Sequence, residues 1–423
     1  MSRNNTLFYL ILVFAVLLPG VGARAQSNIN SPYSRYGYGV LDNHSIGASR
    51  AMAGVGYAVQ DGKQINAKNP ASYAAIDTLT FLCDFGVSLS ANSMKEGSAH
   101  ERRTKWSFDY FALQFPLAKW LAASIGVLPY STVGYDYSGA IPNGEVRQTG
   151  EGSLNQVFGG FGAHIYKGLT IGFNVDYLFG EIENNSISAS SLDAVNATLF
   201  GSTLNISDFR IEIGAQYTYK INEKHRLTLG AVYIPEKKLL GKGFITGGSY
   251  NLSSGATLLF QNDTISLKEK YSLPATYGAG ASYTYNEQLT VSADMTFQSW
   301  KKAKFEGATS YFNDYLQIAV GAQYLPRAAS NNFFRSVRYR AGVSIARSYA
   351  RIKAADKQYN DLWETGATLG AGFPMKRNKS IINVSFGYQN RRTTPASLVT
   401  ENEFRVSVGL TFNEMWFYKS RLH

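Results

Sequence analysis

Residues 404–413 read FRVSVGLTFN. Phe404, Val406, Val408, Leu410 and Phe412 fall on one face, and Arg405, Ser407, Gly409, Thr411 and Asn413 on the other. Alternation at period two is the mark of a strand with one apolar and one polar side. The same pattern recurs at 382–389, at 209–220 and at 289–298. Taken along the whole chain it predicts fourteen strands, at 79–91, 104–116, 121–137, 154–165, 169–183, 206–220, 226–235, 272–285, 288–300, 314–325, 337–348, 362–373, 380–390 and 402–413. The number is even, and many segments reach the ~9–11 residues a tilted strand needs to cross a bilayer.

A soluble sandwich also alternates, so two further features decide. The polar face is mostly Gly, Ser, Thr, Asn and Gln beside a continuous apolar face, which suits lipid outside and water inside. Connections also alternate in length. Long ones such as 138–153, 184–205 and 236–271 trade with tight ones such as 117–120, 166–168 and 286–287. Only Pro326–Ser336 is longer than its place in that pattern requires. Trp120, Tyr166, Tyr219, Tyr285 and Tyr324 cluster at the tight turns, as an interfacial aromatic girdle would. The expected fold is an all-β, 14-stranded antiparallel transmembrane barrel. It must close, because an open edge in hydrocarbon leaves backbone groups unpaired.

Composition is consistent with this. The chain has 423 residues, 45% hydrophobic and 17% charged, with 40 Gly against 11 Pro and a net charge of +11. Its single cysteine, Cys83, excludes an internal disulfide framework. Leu7–Leu18 is an unbroken apolar run, followed by Pro19-Gly20 and Ala23-Arg24-Ala25. That order of features predicts a secretory signal peptide over 1–25. No later stretch is apolar enough for a membrane-spanning helix. The barrel is expected over 79–413, with a periplasmic tail at 414–423 and both termini periplasmic in the outer membrane.

Residues 26–78 lack sustained alternation and are rich in Gly, Ala and Asn. Fourteen strands enclose a lumen too wide for wall side chains to fill, since about eight already reach that limit. This segment is therefore the expected plug. Gly47-Ala48-Ser49-Arg50-Ala51-Met52-Ala53-Gly54, then Gly56-Tyr57-Ala58, then Asn69-Pro70-Ala71-Ser72, resemble the N-terminal signature of the FadL/TodX-type outer-membrane transporters of long-chain fatty acids and hydrocarbons. The resemblance implies a 14-stranded barrel with an N-terminal hatch, and it marks Arg50, Gly54, Asn69, Pro70 and Ala71 as the plug motif. Trp416-Phe417-Tyr418-Lys419 and the Gly-rich style resemble Bacteroidota members. Val55 replaces the usual second Gly.

In that family the ligand leaves sideways through a kink in the third strand. Here the third strand contains Pro129, flanked by Gly126 and Gly134. Proline in a sheet belongs at an edge or a bulge, so these three are the lateral-gate candidate. An acidic lipophile would need an apolar groove and a cation. Phe244 and Phe260 in the long loop 236–271, with inward Arg338, Arg340 and Arg405, are the ligand-binding candidates. The alternatives are strand extensions for the loop, and pairing with inward Asp84, Asp176, Glu212 and Asp294 for the arginines.

No catalytic site, cofactor or metal is expected: His44, His100, His164, His225 and His423 share no ligand spacing. No nucleic-acid partner is expected, because no basic run exceeds Lys301-Lys302. Basic rim residues fit outer-membrane lipid or lipopolysaccharide. Two functions follow from the resemblance. One is passive uptake of small hydrophobic molecules. The other is a non-transporting structural subunit of an outer-membrane machine, such as one for barrel assembly or secretion. A continuous path from the loops through the hatch to the Pro129 region favours the first, and a sealed lumen with a flat apolar loop surface the second.

Overall fold

The computed structural model describes residues 31–191, 195–309, 312–327, 332–353, 359–375, 380–395 and 398–415. The expected leader at 1–25 and the aromatic ending at 416–419 lie outside the described residues. Nineteen strands appear among them. β1 (Val40–Leu41) belongs to the N-terminal segment. β2 (Thr80–Glu96), β3 (Ala99–Ala118), β4 (Leu121–Ile141), β5 (Gly144–Tyr166), β6 (Leu169–Ser190), β7 (Asn196–Lys220) and β8 (His225–Ile234) follow one another as antiparallel neighbours. β9 (Lys237–Lys238), β10 (Gly241–Asn251), β11 (Thr257–Ser266) and β12 (Ser272–Leu273) lie in the long connection. β13 (Thr276–Tyr285), β14 (Leu289–Gln298), β15 (Tyr315–Tyr324), β16 (Arg338–Lys353), β17 (Tyr359–Pro374), β18 (Ile381–Thr394) and β19 (Thr400–Met415) complete the wall.

β8 pairs with β13, and β19 pairs with β2 from Thr400–Lys95 to Met415–Thr80. The ring of fourteen strands is thereby closed, each predicted segment matching one wall strand. Apolar side chains such as Phe209, Phe386, Phe404, Val343 and Leu369 are exposed on the outside. Asp84, Asn174, Asp176, Gln216 and Asp294 are buried on the inside. This is the inverse of a soluble core, and it is what a lipid-facing barrel requires. Trp120, Tyr166, Tyr219, Tyr285 and Tyr324 are all exposed at the turn end.

The loop 236–271 is not irregular. β10 pairs with the upper part of β7, from Gly241–Ile206 to Asn251–Asn196, and β11 pairs with β10. β4, β5, β6 and β7 are each more than twenty residues long. Together with the β10–β11 hairpin they carry one side of the wall well past the loop end of the barrel.

One seam in the wall is incomplete. β3 pairs with β4 only from Phe111–Val127 to Ala118–Leu121, while β3 continues with β2 up to Ala99–Glu96. Above Val127, β4 is held by β5 on one side and by β1 on the other, through Val40–Thr132 and Leu41–Ser131. The register of β4 against β5 slips between Pro129 and Ser131.

Candidate functional site in the lumen

The N-terminal segment runs inside the ring. Ser31 lies near the loop end, where its amide donates to Gly134 O (3.2 Å) and its hydroxyl to Glu401 (2.5 Å). Gly134 N donates in turn to Ser34 Oγ at 3.0 Å. The chain then descends through β1 to a 3₁₀ turn, Gly47–Met52. Ala53 and Gly54 follow with φ of 54° and 80°, the left-handed region that ends such a turn. Gly47 N donates to Tyr110 Oη (2.9 Å), and Arg50 pairs with Asp109 at 2.9 Å. Ala53 N donates to Thr368 Oγ1 at 2.8 Å. Asp294 Oδ2 accepts from Gly56 N (2.7 Å) and Tyr57 N (3.1 Å) and stands 3.6 Å from Lys68 Nζ. These anchors come from β3, β14 and β17, on widely separated parts of the wall.

The Asn69-Pro70-Ala71 motif has a local physical basis. Asn69 Oδ1 accepts from Ala71 N at 3.0 Å, capping the 3₁₀ turn Pro70–Ala75, and Pro70 occupies the first helical position, where its missing N–H costs nothing. Asn69 Nδ2 donates to Tyr57 O at 2.7 Å, tying the two halves of the segment. The turn lies on the wall at Gly172 and Gly214. A Cβ on Gly172 would stand 2.2 Å from the Pro70 carbonyl carbon, and one on Gly214 2.1 Å from Asn69 Oδ1.

The candidate cations are all engaged. Arg338 pairs with Asp61 at 2.8 Å. Arg340 donates to Gln323, Asn383 and Gln64. Arg405 pairs with Glu403, which also meets Arg391 at 3.2 Å. Arg210 pairs with Asp176 at 3.4 Å. Burial raises the Asp61 carboxyl, but Arg338 and Gln64 more than offset this and hold it below the usual carboxylate range. Phe244 and Phe260 are not near these cations, because both sit on the β10–β11 hairpin. Gly126 is buried, with Phe111 O 2.5 Å from where its Cβ would be.

Aromatic side chains pack into a buried cluster at the loop end. Trp300 stacks on Tyr349 with centroids 4.4 Å apart, Tyr38 lies edge-on to Phe305 at 5.4 Å, and Phe312 packs on both Trp300 and Tyr349. Tyr349 Oη bonds to Gly39 O at 2.5 Å, so a wall strand holds the N-terminal segment here. Two cavities in the lumen measure about 50 and 10 Å³. A pocket for a drug-sized ligand is ~300–1,000 Å³. The larger lies at the turn end, lined by Gln60, Asp61, Gln64, Arg226, Thr284 and Gln323 among others.

Sequence reading overlooked Asp109, Tyr110, Trp300 and Tyr349. Asp109 carried a signal. The outward residues of β3 are Trp106 and Phe108, then Phe111 and Leu113, so the alternation changes phase between 108 and 111. The register slips there, leaving Asp109 as the extra residue aimed inward.

The architecture is that of a FadL-type outer-membrane β-barrel. It is similar to the monoaromatic hydrocarbon channel CymD (TM-score 0.59, 15% identity, 90% of this chain and 100% of that one). It is similar to the Ralstonia pickettii toluene transporter TbuX (0.58, 14%, 87% and 98%) and to a Pseudomonas aeruginosa FadL homologue (0.61, 13%, 88% and 99%). At these identities the likeness is one of fold. The chain belongs to the BamG family, whose model matches residues 7–423. No curated protein matches it in sequence.

Proposed function

We propose that this protein is a sealed outer-membrane barrel serving as a structural subunit of an outer-membrane protein assembly. The observation that supports the reading is how the N-terminal segment is held: it is bonded to β3, β14, β16 and β17, and aromatic side chains pack together at the loop end. On this reading residues 26–78 are a fixed plug, and Arg338, Arg340 and Arg405 hold the lumen together instead of binding a ligand. Short turns face the periplasm and long strands the cell surface, with 1–25 a leader and 414–423 a periplasmic tail.

Uptake of small hydrophobic molecules is the second reading. It is favoured by the β3–β4 seam, whose pairing stops at Val127 just before the Pro129 slip, between Gly126 and Gly134. On that reading β1 would have to leave β4 for a lipophile to exit sideways.

Purification of the native protein in mild detergent separates the two. A subunit is expected to come off in fixed ratio with other outer-membrane proteins, and to pass no lipophile in proteoliposomes. A chain that purifies alone, and whose lipophile flux falls in Pro129→Ala, overturns the subunit reading.

A further inference from the structure

We propose that the free edge of β11, Thr257–Ser266, takes an extended, uncharged segment of a partner protein by strand addition at the cell surface. The inference rests on the subunit reading and names the surface through which one partner docks.

Among the described residues β11 pairs in the sheet only with β10, and all its residues except Ile265 are exposed. It stands in water. Leu258 pairs with Ser249, which pairs with Thr198, eleven residues beyond the lipid-facing Phe209. That is roughly 35 Å along the strand. Exposed edges are normally blunted by Lys, Pro or inward charge. The bare edge of β3 obeys the rule, carrying His100, Arg102, Arg103 and Lys105. β11 has no Lys, Arg or Pro, and its one acid, Asp263, is engaged by Gln261 Nε2 at 2.7 Å.

Beside this unguarded edge is an apolar patch with a glycine floor. Gly247 lies opposite Gln261 on one side and Phe200 on the other, and Phe260 is the extra residue of a bulge at that point. Phe200, Leu258 and Phe260 are 54%, 63% and 73% exposed. An incoming strand that bonds to β11 would lay one large apolar side chain against Phe260 and Leu258. The edge offers one charge in ten residues, so the complementary strand is uncharged.

A second copy does not fit. A ten-residue edge contact covers on the order of 350 Å² per chain, from ~34 Å of strand and ~10 Å of width. A stable interface needs ~800 Å² per partner. Two copies in one membrane also stand the same way up, which sets their β11 strands parallel, the weaker pairing. A segment of another protein, held elsewhere in the same assembly, needs no such area because tethering supplies the effective concentration.

The test places a photo-crosslinking residue at Asn262 or Thr264 of the full-length protein in cells, with Thr104 on the β3 edge as control. The expected result is a crosslink to one partner chain, mapped to a single segment poor in charge. Yield should fall at least tenfold in Leu258→Lys/Phe260→Lys and in Ile265→Lys, with the barrel's heat-modifiable mobility unchanged. An assembly that purifies intact with no β11 crosslink overturns the docking edge and leaves the subunit reading standing. Crosslinks between copies, or yields indifferent to the lysines, overturn it as well. A chain that is monomeric in mild detergent removes both.

Discussion

Asp294 shows how one wall side chain fixes a stretch of the N-terminal segment. Its carboxylate accepts two successive amides, Gly56 and Tyr57, and faces buried Lys68. Asp294→Ala removes the counter-charge of buried Lys68, which keeps Gly54 O and the Tyr57 ring, and takes the acceptor from two N–H groups. Breaking a buried pair from one side costs roughly 3–5 kcal/mol. The expected outcome is faster hydrogen exchange over 56–69 with no change in barrel mobility on cold gels. Lys68→Met should cost less, because both amides keep their acceptor; equal effects would show that the amide bonds contribute nothing. His44 adds a pH dependence. Burial, then Arg210 and Lys68, push its pKa down to about 3, against ~6.5 for a free imidazole. A group whose folded pKa is depressed contributes stability above its unfolded pKa, and that contribution is lost as pH falls toward the folded value. Docking of 31–78 should therefore loosen from pH ~6.5 downward, read as exchange corrected for its intrinsic rate. His44→Asn, which tolerates the φ of 53° at this position, should flatten the profile; an unchanged slope would assign the effect to other groups.

At the scale of the element, the turn Pro70–Ala75 and the strands beneath it are one fitted unit. Gly172 leaves room for the Pro70 backbone itself, so the wall and the segment touch main chain to side-chain-free main chain. Gly172→Ala should displace the turn at a cost of ~1–3 kcal/mol, the range for forced overpacking. Protease nicking within 66–76 is the measurement, and protection equal to the parent would mean that the wall yields instead. Part of this was legible beforehand. Asn69-Pro70-Ala71 stands out in the sequence as a motif of the segment, though not as the capped turn it forms, and Pro129 reads as a break in β4. Other parts were hidden for physical reasons. β1 is a two-residue strand whose pairing depends on a partner ninety residues away, so no local period could reveal it. β11 is exposed along nearly all its length, and β10 is half-buried between β7 and β11, so neither strand has a lipid face to impose apolar residues at alternate positions. Loop and exposed strand then look alike in sequence.

For the whole molecule, the alternation gave the ring of fourteen and its turn-end girdle because the bilayer imposes the same constraint on every strand. It gave no information on whether the ring is open, since that depends on how Arg50, Asp109, Asp294 and the Trp300–Tyr349 stack meet across hundreds of residues. Conductance reads this out directly. A 14-stranded wall cannot fill its own lumen, so the proposed plug is the N-terminal segment together with the aromatic packing that Tyr38 joins. The intact protein should be electrically silent in a planar bilayer. Deleting residues 32–76 removes Tyr38 together with every anchor bonded to Thr368, Asp294 and Asp109. The wall strands keep their own ladders, from β19–β2 closure through the β8–β13 pairing. The deleted chain should therefore still insert as a barrel and show steady, salt-proportional conductance. A conducting parent would mean that the segment leaves the lumen spontaneously. A silent deletion variant with intact heat-modifiable mobility would mean that the loop end seals the pore without it.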